Sequence, residues 1–187
     1  MQKIDHIDLE FLHLAVKKNE GFNEMDIARS VLRDLGVGRI LDRLASLKER
    51  GLLKTENGVF VITEEGRCLF WDYTVTKEIR ILRLLKIKPF SEQDIARYLL
   101  DDETTTVETI DVLRAKHMVM FTTIREGELI RKICQITEEG LRFVDGQPTS
   151  ELDTLMSQIS SKLGSSGDAK KVKIVKEKLR DILKQLQ

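Results

Sequence analysis

Two short strings recur in this chain in the same order and at nearly the same spacing. DIAR stands at 26–29 and again at 94–97, and ITEEG at 62–66 and again at 136–140. The first pair is offset by 68 residues and the second by 74. Two matches in one order imply a duplicated unit with small insertions, and a duplicated unit restricts the fold more than any single motif. The chain has 187 residues, enough for two such units and a tail.

The periodicities within each unit follow one order. In the first, Leu9, Leu12, Ala15 and Val16 form a helical stripe over 8–18. Asn23 is placed to cap a helix over 24–35, in which Met25, Ile27, Ala28, Val31, Leu32 and Leu35 are apolar and which Gly36 ends. A third helix is predicted over 37–50, with Ile40, Leu41, Leu44 and Leu47 inward and Gly51 as its stop. Strands at 52–55 and 59–62 flank Asn57-Gly58, the strongest short hairpin signal. Thr63 then caps a fourth helix through Leu69, Phe70 and Trp71. The second unit repeats the series: a helix over 76–85, one capped by Ser91, one over 104–116, a longer hairpin (118–124 and 129–136), and a last helix capped by Thr137.

Three helices, two strands and a helix is the order of a winged helix. The run LKERGLLK (47–54), a hairpin, then ITEEGRCLF (62–70) resembles the winged-helix superfamily, and within it bacterial and archaeal transcription regulators. The resemblance covers about 1–146 and implies a mainly α fold with small β-hairpins (α+β): two tandem winged-helix domains, 1–75 and 76–147, with a C-terminal helical tail at 148–187. It also implies that helix three is the recognition helix and the hairpin the wing. Winged helices serve protein interaction as well as nucleic-acid binding, so the fold alone does not decide function.

Charge narrows the choice. Lysine plus arginine and aspartate plus glutamate both number 31, so any phosphate contact must come from a local patch. The three segments carry net charges of −2, −1 and +3. On helix three of the first unit, Arg39, Arg43, Ser46 and Arg50 fall within about 60° of one another at ~100° per residue. The apolar set centres roughly 130° away. One face in the core and one presenting guanidinium groups is what a DNA reader needs. Lys48 and Lys54 would add backbone contacts. The competing reading is that Asp42 and Glu49 simply pair with these arginines.

The second unit differs. Aligning Leu44 and Leu47 with Ile110 and Leu113 matches Arg39 to Thr105, Arg43 to Thr109, Ser46 to Val112 and Arg50 to Lys116. Asp101, Asp102, Glu103, Glu108 and Asp111 crowd the region, and acids repel phosphate. Its longer wing holds Arg125, Arg131 and Lys132, a possible second DNA contact, but a protein-binding or architectural role is expected of this copy.

In the tail, Val172, Val175, Leu179, Ile182 and Leu186 recur at alternating spacings of three and four, a short heptad seam. It is expected to pair with the 150–163 helix or with a second copy as a homodimer. Its lysines, at 170, 171, 173, 176 and 178, read as a solvated face around that seam or a contact for an acidic partner.

Catalytic and cofactor motifs are missing. There is no phosphate-binding glycine loop, and His6, His13 and His117 lack metal-ligand spacing. Cys68 and Cys134 stand apart and are expected to pack in the core. Glu64-Glu65 and Glu138-Glu139 read as helix N-terminal acids. The expectation is a cytoplasmic, non-catalytic protein with no cofactor, metal or membrane span, acting on double-stranded DNA. The rival reading is a scaffold of tandem winged helices, of the kind found in kleisin-associated, ESCRT-II and polymerase-associated assemblies.

Overall fold

Capping and turn chemistry punctuate the chain where the sequence indicates. The computed structural model describes residues 3–19, 21–126 and 129–146. Helix α1 (His6–Lys17) starts on Asp5, whose side chain accepts from the Asp8 amide. Helix α2 (Glu24–Ala28) starts on a capping box: the Asn23 side chain accepts from the Asp26 amide, and the Asp26 carboxylate from the Asn23 amide. Then come α3 (Val37–Glu49), strands β1 (Leu53–Glu56) and β2 (Val59–Ile62), and α4 (Glu64–Phe70). The second series is α5 (Lys77–Leu85), α6 (Glu92–Leu99), α7 (Glu103–Ala115), β3 (Val119–Glu126), β4 (Leu129–Ile136) and α8 (Glu138–Asp145). This is an α-helical fold with two small antiparallel hairpins, an arrangement consistent with a winged helix.

The first hairpin turns at Asn57 and Gly58, both at positive φ (50° and 82°), the geometry whose twist matches the flanking strands. Each hairpin gains a third partner that the sequence pattern does not show. Phe22 exchanges both backbone hydrogen bonds with Phe60, and Phe90 does the same with Cys134. A one-residue bridge has no period, so no strand signal precedes it.

The ITEEG string owes its recurrence to one junction built twice. Thr63 accepts from the Gly66 amide and donates to the Gly51 carbonyl; Thr137 accepts from the Gly140 amide and donates to the His117 carbonyl. Each threonine thus caps a helix and ties it to the bend after helix three. The glycine lets the helix approach the hairpin: a Cβ at Gly66 would lie 2.5 Å from the Leu52 carbonyl oxygen, and one at Gly140 2.2 Å from that of Met118.

Three expectations need correction. The helix over 24–35 breaks after Ala28 and resumes as a 3-10 helix, Val31–Asp34. Ser30 causes the break: its hydroxyl donates to the Ile27 carbonyl and accepts from the Leu32 amide, competing with the helical ladder. Met25 and Val31 consequently lie on the surface, both 63% exposed. Leu41 also points outward, at 60% exposure, because α3 is seated by Leu44 and Leu47 with Ile40 beside them. Cys68 is only half-buried, whereas Cys134 is fully buried and its thiol is pushed up to about 12, first by burial.

Residues 1–145 form one compact unit, in which α1 meets the second series through a buried polar cluster. The Tyr98 hydroxyl donates to Glu10 and lies 3.1 Å from His6 Nε2, while His13 Nε2 lies 3.0 Å from the Arg97 carbonyl. The Trp71 indole donates to the Tyr98 carbonyl at 2.8 Å. Tyr98, Glu10 and His13 are buried, so these bonds satisfy groups that water scarcely reaches, with His6 at the open edge.

Candidate nucleic-acid interface

The arginine stripe of α3 divides. Arg43 sits 2.7 Å from an Asp5 carboxylate oxygen and 3.2 Å from one of Asp8. Arg50 donates to Asp8 at 2.8 Å and to the Lys3 carbonyl at 2.8 Å. Asp8 is 2% exposed, and the two guanidinium groups supply the counter-charge that such burial requires. Arg43 and Arg50 therefore clamp α3 to the start of α1. Their partners are Asp5 and Asp8, not the Asp42 and Glu49 that the helix itself offers. Ser46 is half-buried beside them.

What remains outward on α3 is mixed in chemistry. Arg39 and Lys48 are exposed and have no ion-pair partner among the described residues. Gly38, Asp42, Ala45 and Glu49 are exposed roughly opposite Leu44 and Leu47, and Val37 and Leu41 flank them. On the first wing, Lys54 is 2.7 Å from Glu56 on its own strand. Arg29 and Arg33, on the segment leading to α3, are exposed too, although the sequence pattern had not singled them out. Their signal was there: Arg29 closes the DIAR string, and Arg33 lies where the helix period breaks.

The start of α3 is open. Its N-cap is Gly36, which has no side chain, and no side chain caps the helix. The amides of its first turn are left for solvent or an anion, at the positive end of the helix dipole. At the matching position of α7, Asp102 caps the helix and accepts from the Thr105 amide at 2.9 Å. Thr105, which matches Arg39, also accepts from Lys77 at 2.8 Å. The second series thus supplies its own carboxylate where the first leaves its amides to an outside acceptor.

The second wing is only partly available. Lys132 lies 3.3 Å from Glu92 and 3.6 Å from the centre of the Phe121 ring. Arg125 and Arg131 are exposed on β3 and β4, each with interactions of its own. The seam residues Val172, Val175, Leu179, Ile182 and Leu186 lie outside the described residues. Among the described residues no group of three or more His, Cys, Asp or Glu is placed to hold a metal, and no helix is long and apolar enough to cross a membrane.

No family model matches the chain, and no curated protein does. Solved structures do. A point mutant of MepR from S. aureus is 16% identical, with 81% of this chain and 99% of that chain covered and a TM-score of 0.39. ZitR from Lactococcus lactis, in complex with DNA, is 14% identical over 82% of this chain and 99% of that one, at a TM-score of 0.35. The transcriptional regulator BldR from Sulfolobus solfataricus is 19% identical over 79% and 94%, at 0.34. The overlaps are long, but the agreement in shape is loose.

Proposed function

We propose that this chain is a non-catalytic tandem winged-helix protein that binds double-stranded DNA through its first copy, as a transcription regulator does. The observation that carries the reading is the open N-terminus of α3 with Arg39 on its first turn, beside a second copy in which Asp102 closes the equivalent site. In helix-turn-helix proteins the N-terminal residues of the recognition helix reach the base edges, and an uncapped N-terminus binds phosphate. Arg39 would read or anchor, and Arg29, Arg33, Lys48 and Lys54 would add backbone contacts. Arg43 and Arg50 hold the helix in place. The tail seam would join two copies and set the spacing of half-sites; an unchanged sedimentation mass on removing 168–187 would reject that part.

Two substitutions test the reading. Gly36→Asp installs the cap of the second copy; a Cβ there meets nothing within 4 Å, and φ is −62°, so the fold accepts it. In anisotropy titrations of a mixed-sequence duplex at low salt, Arg39→Ala is expected to weaken binding about tenfold. Gly36→Asp is expected to weaken it at least as much while raising stability by no more than about 0.5 kcal/mol, since glycine is already a tolerated N-cap. The reading fails if wild-type protein shows no salt-sensitive binding, or if both variants bind as it does.

A second reading rests on the chemistry between these basic groups. Asp42 and Glu49 face outward, and Met25, Val31, Val37 and Leu41 are exposed nearby in sequence. A surface of acids and aliphatics suits a protein partner, and failure of the DNA titration would favour it.

A further inference from the structure

A cleft of about 290 Å³ opens where α1 and the 3-10 helix of the first series meet α6 and the segment before it. It has room for roughly ten water-sized volumes at ~30 Å³ each. One wall is aliphatic, from Ile7, Val31, Leu32 and Leu35. The other carries the rings of Phe90 and Tyr98, 5.1 Å apart and edge-on. A largely apolar cleft with a few placed polar groups is the usual form of a small-molecule site.

The charges at its rim decide which molecule it suits. The acids are committed: Glu10 accepts the Tyr98 hydroxyl, and Asp94 accepts from the Ser91 hydroxyl at 2.8 Å and from Arg97 at 3.2 Å. Arg97 is spent on Asp94 and on the face of Tyr98, 4.3 Å below it. Lys88 is not committed: its ammonium lies 5.0 Å over the Phe90 ring and has no carboxylate partner among the described residues. The uncommitted charge at the rim is therefore a cation above an aromatic wall.

We infer that this cleft binds a small carboxylate with an aromatic or branched aliphatic body, its carboxylate on Lys88 and its body between the aliphatic and aromatic walls. Val31, Leu32 and Leu35 belong to the segment that ends at Gly36, the N-cap of α3. A ligand in the cleft fixes that segment and with it the entry to α3. The effect on DNA rests on the function proposed above; binding itself does not.

The test uses phenylacetate and 3-methylbutanoate as probes, with phenylacetamide as the uncharged control and no DNA present. Trp71, bonded to the Tyr98 carbonyl, is the chain's single tryptophan and a natural reporter. At least one carboxylate is expected to bind saturably with Kd of about 1 mM or tighter. The amide should bind at least about tenfold more weakly, and so should either acid to Lys88→Gln, because a charge-assisted contact is lost. Val31→Asp, at an exposed rim position, should weaken binding by a similar factor through repulsion. Hydrogen exchange of the 31–36 amides should slow on saturation. Absence of saturable binding by both acids, equal binding of the amide, or unchanged exchange at 31–36 overturns the inference. None of these outcomes depends on whether DNA binds.

Discussion

Neutralising one carboxylate separates the arginines that hold α3 in place from those proposed to contact DNA. Asp8→Asn keeps the size of the side chain and removes its charge. In the folded protein Asp8 is 2% exposed and receives Arg43 at 3.2 Å and Arg50 at 2.8 Å. Hydrogen bonds to charged groups each contribute about 1.5–3 kcal/mol. Breaking a fully buried pair costs about 3–5 kcal/mol, chiefly because the surviving charge is stranded. Here the surviving charges are not stranded: the side chains of Arg43 and Arg50 are 35% and 23% exposed, Arg43 keeps Asp5 and Arg50 keeps the Lys3 carbonyl. The expected loss is therefore near the lower end, about 2 kcal/mol. For a unit of this size that lowers Tm by roughly 4–8 °C. Urea unfolding of wild type, Asp8→Asn, Arg50→Gln and the double variant measures the loss and the coupling. The two single losses should not add, since both remove one contact. A change within about 0.3 kcal/mol for Asp8→Asn, or fully additive losses, refutes the clamp. It would return Arg43 and Arg50 to the list of residues free to meet DNA.

Two further outcomes follow from the fold. Gly140→Ala should cost about 2 kcal/mol, because the added carbon meets a backbone carbonyl at 2.2 Å; Gly38→Ala, with open space around it, should be neutral or gain up to about 1 kcal/mol. Equal effects in thermal melts would show that the approach of α8 to the hairpin is not tight. The protein should also lose stability on acidification below neutrality. Burial is the main cause that holds His6 and His13 below the usual imidazole value of 6.5, with Lys88 the next for His6. The unfolded chain then takes up protons before the folded one, so their contribution is complete above about pH 6.5 and is lost as pH falls from there. Melts at pH 7.5 and 5.5 check the sign, and His13→Gln should flatten the dependence; rising stability toward pH 5.5 would contradict it.

Local chemistry was legible in the sequence. The Asn57-Gly58 turn, the caps at Asn23, Ser91, Thr63 and Thr137, and the recurrence of ITEEG depend on residues within a few positions of one another. Partners drawn from elsewhere in the chain were not. Helical periodicity put Arg39, Arg43 and Arg50 on one stripe, but the counter-charge of Arg43 and Arg50 is Asp8 of α1, 35 and 42 residues away, and no period encodes that. The cluster of His6, Glu10 and Tyr98 joins residues about ninety positions apart, and its polar members read as surface residues until α1 and α6 pack together. Leu41 misled for a related reason. An apolar residue at the edge of a helical stripe is inward or outward according to how the helix is rotated, and Leu44 and Leu47 settle the rotation.

The two series of elements differ in how they meet one structural need, with opposite polarity. Each series ties its first helix by ion pairs, to α3 and its C-cap in the first and to the residue before the α7 cap in the second. In the first, the acid is on helix one, Asp8, and the bases are on α3, Arg43 and Arg50. In the second, the bases are on helix one: Arg80 lies 3.2 Å and Lys77 3.6 Å from Asp101, at the entry to α7. The charge that stands on helix three, or at its entry, in each clamp also colours the surface around it. The first arrangement leaves a basic third helix whose surplus, Arg39, stands beside an uncapped N-terminus. The second puts Asp101 and Asp102 together at the N-terminus of α7, where the carboxylate of Asp102 takes the Thr105 amide and sets negative charge where a phosphate would sit. If the proposed function holds, the second series is closed to DNA by the polarity of its clamp as much as by its missing arginines. Restoring an arginine at Thr105 alone should therefore leave it closed, and duplex titration of Thr105→Arg in the Gly36→Asp background measures this. Recovery of salt-sensitive binding there would show that the arginine, not the open helix end, is the deciding feature.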